Sequence, residues 1–451
     1  MPQMLRRHHF RHHLLVAALM TLAPTASALA ADAPPAPAVP SAADSDPAKL
    51  GWMQGSPPPA DKMVRFADGT YFTFPKQRWS FAHFRELMPT ARVSRGTGPI
   101  AELPEALRPD LAGVTFIPTG GKAPVNWVSA FDSIYGDAVL VLHKGKVAYE
   151  RYNGVMNRDQ PHILFSVTKS FFGTLGEMMI ESGELDETQT VAHYLPELAA
   201  SGFGNATVRQ VMDMTTGLDY DEDYASPRSA IVKFGTAVGV MPAPPGYTGP
   251  ATSAEYLKTI GPVGKHGERF EYQSVDTEVL GWIMARIAGK PAHQLLEERI
   301  FSKLGAEHDA AIVIDRAGMA FAAGGLNMTL RDMARFGEMI RNNGRFNGQQ
   351  IVPAAVIARL HKGASKADFA KAKYETMPGW SYRSQWWVTH NGHDVLVCRG
   401  IHGQMIYIDP VAEMVVVRFM SNPVASTATF DAQTLPAFAA LADHLMATSA
   451  K

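Results

Sequence analysis

Ser166-Val167-Thr168-Lys169 is the one S-x-x-K of the chain, setting a hydroxyl and an amine three residues apart. On a helix, residues i and i+3 share a face, so the Lys169 amine can reach the Ser166 hydroxyl. A serine hydroxyl is a poor nucleophile until a base takes its proton. A lysine amine serves as that base once burial or a neighbouring positive field lowers its pKa from about 10.4. Pro161 opens a mostly apolar run to Phe165, so the spacing predicts a helix starting at Ser166. The free N–H groups of a helix start can hold a developing oxyanion. A capping serine followed by a surface lysine spells the same four letters. The flanks separate the two readings.

Ser166-Val-Thr-Lys-Ser-Phe-Phe-Gly173 resembles the active-serine segment of the penicillin-recognising serine hydrolases. That superfamily holds class C β-lactamases, DD-peptidases, family VIII carboxylesterases and 6-aminohexanoate-dimer hydrolases. Gly183 to Asp186, Val191 to Leu198 and Val208 to Leu218 resemble its following segments in the same order. The resemblance runs from about Asp137 to Ser421 and implies Ser166 as nucleophile with Lys169 as base. Phe270-Glu-Tyr-Gln-Ser274 matches the family's Y-x-N segment, with Ser274 in the asparagine place, as in the 6-aminohexanoate-dimer hydrolases. By resemblance Tyr272 passes a proton between Ser166 and the leaving group, a task suited to a phenol whose pKa Lys169 lowers.

The third family motif, K-T-G in the lactamases, falls on Cys398-Arg399-Gly400. Without that lysine and threonine, efficient β-lactam hydrolysis is not expected. Gly400 remains, where a backbone must come close to the substrate. The resemblance implies an oxyanion hole from the N–H groups of Ser166 and Ile401. Gly400 to Gln404 and Tyr382 to Trp387 are similar to the 6-aminohexanoate-dimer hydrolase subgroup. The expected substrate-binding residues are Tyr224, Ser274, Gly400, His402 and Trp387. Tyr224 either closes over an amide substrate or is a partly buried aromatic in the acidic loop Asp219 to Asp223. His402 is either a pocket residue or a structural hydrogen-bonder. No cofactor and no metal are expected.

Other signals point elsewhere only weakly. No G-x-S-x-G elbow is present, and Gly120-Gly121-Lys122 lacks the Ser/Thr of a P-loop. His390 and His393 have H-x-x-H spacing without an accompanying carboxylate pattern. Cys398 reads as a small buried hydrophobe rather than a nucleophile.

The elements that must position these residues follow from patterning. Ala138 to Leu142 and Val147 to Tyr152 flank a Gly-containing turn and predict a hairpin. Helical patterns cover Ser166 to Gly183, Val208 to Met214, Thr277 to Ala288, His293 to Leu304 and Arg331 to Asn342. Strands return at Ser384 to Val388, Val395 to Cys398, Met405 to Ile408 and Met414 to Phe419, before a closing helix from Leu435 to Met446. The expectation is an α+β fold (an α/β sandwich). An antiparallel sheet from N- and C-terminal segments is flanked by helices, with an all-helical subdomain inserted at about 180–320. The resemblance makes this fold β-lactamase/transpeptidase-like.

The whole chain has 451 residues, 42 Lys+Arg against 43 Asp+Glu, and 46% hydrophobic content, enough for a substantial core. That balance argues against global disorder and against nucleic-acid binding. One cysteine forms no internal disulfide. Arg6, Arg7 and Arg11, the apolar Leu14 to Ala23 and Ala28-Leu29-Ala30 read as a secretory signal peptide over 1–30, cleaved near Ala30. No stable membrane anchor is expected after cleavage. A Pro/Ala-rich stretch at 31–62 reads as an extended tether, 63–125 as an N-terminal extension, and 126–451 as the hydrolase domain. The expected protein is an exported, periplasmic or secreted serine hydrolase acting on a small-molecule ester or amide. The alternatives are a β-lactamase or DD-peptidase, or a non-catalytic penicillin-binding-type ligand binder or sensor. Sequence alone sets no oligomeric state.

Overall fold

The computed structural model describes residues 39–449. The signal-peptide expectation and the first part of the tether therefore lie outside the described residues.

Strand Gly136–His143 is buried along almost its whole length, which requires cover on both faces. It sits in a seven-stranded antiparallel sheet. The spatial order is Ser381–Arg383, Trp386–Val388, Leu396–Arg399, Met405–Asp409, Met414–Met420, Gly136–His143, Lys146–Tyr152. Successive side chains leave opposite faces of a strand. Leu140 and Leu142 thus join the core under helix Leu330–Arg341, while Val139 and Val141 join Phe438, Leu441 and Leu445 of helix Ala428–Ser449. This is the expected mixed fold, with its sheet drawn from both ends of the domain and helices on both faces.

Helix Val167–Glu181 runs through the first core, with Phe171 and Phe172 fully buried and Phe171 stacked on Phe336 at 3.7 Å. Its Gly173 lies where a β carbon would fall 2.0 Å from the Ser384 carbonyl oxygen, so only glycine lets the helix seat on that turn. Helices Val208–Met212, Ala230–Val238, Ser274–Ala288 and Ala292–Arg299 follow.

The insert is not all-helical to 320. Ala310–Val313 is a strand, and it joins a second antiparallel sheet ordered Thr90–Val93, Ala310–Val313, Leu326–Met328, His162–Ile163. The expected strand Ser384 to Val388 is shorter, because Ser384 and Gln385 take φ of 49° and 67° in a turn before Trp386. The closing helix starts seven residues earlier than expected, at Ala428.

The tether expectation also needs correction over its described part. Ser45 is fully buried and Pro47–Leu50 forms a helical turn. Arg78 donates to the Ala42 carbonyl at 2.6 Å, and Lys62 and Lys76 lie 5.1 and 5.4 Å from the Trp52 ring centroid. Proline and alanine content suggested a solvated spacer, but Trp52 and the buried Arg78 guanidinium supply docking contacts that composition does not register. The extension at 63–125 likewise packs inward, through Phe81 and Phe84 against Phe165.

Candidate functional site

Ser166 sits at the start of helix Val167–Glu181, directly after Phe165, which holds φ of 45°. A left-handed phenylalanine costs of order 1–2 kcal/mol. It is held by the Leu164 N–H bond to the Leu326 carbonyl at 2.8 Å and by aromatic neighbours Phe81, Phe84 and Phe72. The kink turns the serine off strand His162–Ile163 and into the cleft.

Lys169 lies one turn along and is 1% exposed. Its Nζ donates to Ser166 Oγ at 2.9 Å and to the Ala323 carbonyl at 2.7 Å. Burial pushes its pKa down to about 8, partly opposed by the carboxylates of Glu222 and Glu278. An accessible fraction is therefore the free amine near neutral pH.

Tyr272 lies beside them, its ring centroid 5.1 Å from Lys169 Nζ. Burial raises its phenol well above the ordinary value, with Ser166 pulling weakly the other way. The expectation of a phenol acidified by Lys169 is therefore corrected. The amine lies over the ring face, and desolvation of the phenolate dominates. Tyr272 is a neutral phenol. Trp387 stacks on it at 5.5 Å and fixes its plane.

Gly400 ends strand Leu396–Arg399 against the Ser166 segment. A β carbon there would stand 2.6 Å from the Leu164 carbonyl oxygen and 3.2 Å from Ser166 N. The close approach that demands glycine is thus to the nucleophile loop itself. Among the described residues, neither the Ser166 N–H nor the Ile401 N–H has a protein acceptor. Two unpaired donors on adjoining segments form the arrangement that stabilises an oxyanion.

Tyr224 is half-buried, and its hydroxyl donates to Glu222 Oε2 at 2.9 Å. The other Glu222 oxygen accepts from the Ser274 N–H. Glu222 so ties the acidic loop to the first turn of helix Ser274–Ala288, where a carboxylate meets the positive end of the helix. Sequence reading assigned Glu222 no role; its position two residues from Tyr224 was the available signal. Tyr224 and Ser274 both line the cleft at Ser166.

His402 corrects another expectation. It is 3% exposed, its Nδ1 bonds the Asn422 carbonyl at 2.6 Å, and Phe72, Phe81 and Phe165 surround its ring. Burial lowers its pKa to about 4. It buttresses the nucleophile loop rather than contacting substrate. Arg399 reaches the cleft but is already engaged: it pairs with Asp431 at 2.7 Å and lies over Trp387. Cys398 is fully buried, and burial raises its thiol pKa. His393 bonds Asp409 and His390 bonds Ser381.

Two hollows meet at Ser166. One, of about 60 Å³, is walled by aliphatic and aromatic side chains and touches Tyr224 and Ser274. The other, of about 220 Å³, holds Tyr272, Trp387, Tyr374, Glu222 and Arg399. A base, a neutral proton relay, two free N–H donors and a space on each side of a nucleophile together suit acyl transfer.

Comparison with known proteins agrees with this geometry. The family model described as Beta-lactamase matches residues 125–439. A 6-aminohexanoate-dimer hydrolase of Paenarthrobacter ureafaciens is 35% identical over 354 residues, covering 78% of this chain and 87% of its own. A solved Bacillus anthracis protein, provisionally assigned as a 6-aminohexanoate-dimer hydrolase, superposes with a TM-score of 0.78 at 30% identity, covering 87% of this chain and 99% of its own. A family VIII carboxylesterase shares the fold, with a TM-score of 0.51 at 17% identity over 70% of this chain and 95% of its own.

Proposed function

The chain belongs to the beta-lactamase family, and from that membership we propose that it cleaves an ester or linear amide through a covalent acyl-Ser166 intermediate. The observation that carries this is the buried Lys169 amine, bonded to Ser166 Oγ at 2.9 Å. Free Lys169 takes the Ser166 proton as Oγ adds to the substrate carbonyl carbon. The carbonyl electron pair moves onto oxygen, held by the Ser166 and Ile401 N–H groups. As the tetrahedral centre collapses, Tyr272 gives its proton to the leaving oxygen or nitrogen and receives one from the Lys169 ammonium. The acyl–leaving-group bond breaks, and Lys169 is again neutral. Water then repeats the sequence in reverse. Its proton passes to the Tyr272–Lys169 pair, its oxygen bonds the acyl carbon, and Ser166 departs with a proton.

Ser166→Ala should abolish hydrolysis of p-nitrophenyl esters, and unchanged turnover would overturn the assignment. A fluorophosphonate adduct on the intact chain, absent from Ser166→Ala, should accompany activity. No adduct and no turnover would favour a ligand binder instead.

The residues around Ser166 favour esters and open-chain amides over β-lactams. Arg399, at the threonine place of K-T-G, is occupied by Asp431 and Trp387 rather than free for a substrate carboxylate. We propose as well that the chain is exported, on the signal pattern of residues 1–30. N-terminal sequencing of the product released from a bacterial host should begin near Ala31.

A further inference from the structure

The two hollows at Ser166 differ in chemistry, and Tyr272 tells them apart. The leaving group must depart toward its proton donor, which lines only the larger hollow. The smaller hollow borders Ser166 and Ile401 but not Tyr272, so it receives the acyl chain. None of its lining residues carries a charge. Its walls include Val232 and Phe234 of helix Ala230–Val238, Met241 after that helix, Phe321, and Phe72 and Phe84 of the N-terminal extension. The polar side chains at its mouth besides Ser166 are Tyr224 and Ser274. The Tyr224 hydroxyl is engaged with Glu222.

We infer that this hollow selects substrates whose acyl group is uncharged and apolar, and that the N-terminal extension sets its depth through Phe72 and Phe84. The inference rests on Ser166 as the acylated nucleophile. An ammonium or carboxylate at the end of the acyl chain would lose its hydration here with no counter-charge on the walls. Each methylene that enters dry gains about fourfold in kcat/KM, the equivalent of its transfer free energy. The walls come from segments far apart in sequence: 72–84, 232–241 and 321. Their convergence on one uncharged space beside the nucleophile is the observation that points to an acyl site.

The test compares kcat/KM for p-nitrophenyl acetate, butyrate, hexanoate, octanoate and 6-aminohexanoate. The wild-type chain should prefer hexanoate over 6-aminohexanoate by at least about 100-fold. Val232→Asp, which adds a carboxylate to the wall, should narrow that ratio by at least about tenfold. A wild-type ratio below about threefold, or a folded Val232→Asp protein with an unchanged ratio, would overturn the inference. In either case, acetate turnover lost in Ser166→Ala would leave the hydrolase reading standing. Turnover of no ester and no linear amide, with no fluorophosphonate adduct, would overturn both. Should Val232→Asp fail to fold, Phe72→Ala deepens the hollow and should raise octanoate over butyrate at least about threefold. An unchanged chain-length profile in that variant would overturn the inference.

Discussion

Lys169 and Glu278 meet across the backbone of a single residue, Ala323. The Ala323 carbonyl accepts from Lys169 Nζ at 2.7 Å, and the Ala323 N–H donates to Glu278 Oε1 at 2.7 Å. Glu278 is 1% exposed, its second oxygen has no partner among the described residues, and burial raises its pKa to about 8. The carboxyl group thus fixes the residue whose carbonyl orients the base; it is mostly the neutral acid at pH 7, and its ionisation near pH 8 favours the ammonium form of Lys169. Glu278→Gln keeps an acceptor for the Ala323 N–H but cannot ionise. The acidic limb of the kcat/KM profile should then move to lower pH. An unmoved limb with merely reduced kcat would reduce Glu278 to a structural role.

The pH dependence of the wild-type chain follows from Lys169. The base must be unprotonated, and with a pKa of about 8 roughly a tenth of it is free at pH 7. kcat/KM should rise about tenfold from pH 7 to a plateau above pH 9. Lys169→Arg should be inactive throughout, since a guanidinium stays charged. A flat profile between pH 6 and 9 would contradict Lys169 as the base.

Tyr272 makes a prediction about leaving groups. A neutral phenol that protonates the departing atom matters most when that atom is a strong base. Tyr272→Phe should slow hydrolysis of an alkyl ester or anilide by about 100-fold or more, and of a p-nitrophenyl ester by much less. Equal losses on both substrates would argue that the ring only packs against Trp387.

The oxyanion arrangement is open to test at Gly400. Gly400→Ala forces a methyl group to within 2.6 Å of the Leu164 carbonyl oxygen and 3.2 Å of Ser166 N. Displacing one donor should lower kcat by about 100-fold. Measuring circular dichroism alongside turnover separates that effect from global unfolding. A folded variant with wild-type kcat would remove the Gly400–Ile401 turn from the mechanism.

Nitrocefin should be turned over far more slowly than p-nitrophenyl butyrate, because Arg399 is engaged with Asp431. Comparable rates would show that another group grips the β-lactam carboxylate.

Much of the site was readable before the fold. Ser166 and Lys169 share one helical turn, so their contact is a local property of spacing. Six strands of the seven-stranded sheet were also legible as β-rich runs at both ends of the domain, while Ser381–Arg383 was not. What sequence spacing could not reveal was contact between distant segments. Glu278 lies in helix Ser274–Ala288 beside Asp276 and Thr277, and nothing local ties it to Ala323. His402 could be read as a pocket residue or as a structural hydrogen-bonder, and its φ of 60° turns it into the aromatic cluster behind Phe165. The folded stretch around Ser45 and Trp52 was hidden by its proline content, since composition reports average solubility and not one anchoring ring.

Strand Gly136–His143 pairs with Met414–Met420, so the sheet beneath the nucleophile closes only when the far end of the domain arrives. Ile401, which carries the second oxyanion donor, arrives with that same C-terminal half. During synthesis, a growing chain that has already made Ser166 and Lys169 still lacks the second donor and the wall from Arg399 to Ile401. Long-range pairing of this kind is slow to form. The nascent polypeptide therefore lacks the complete oxyanion site, and full reactivity toward esters comes as a late consequence of completing the fold.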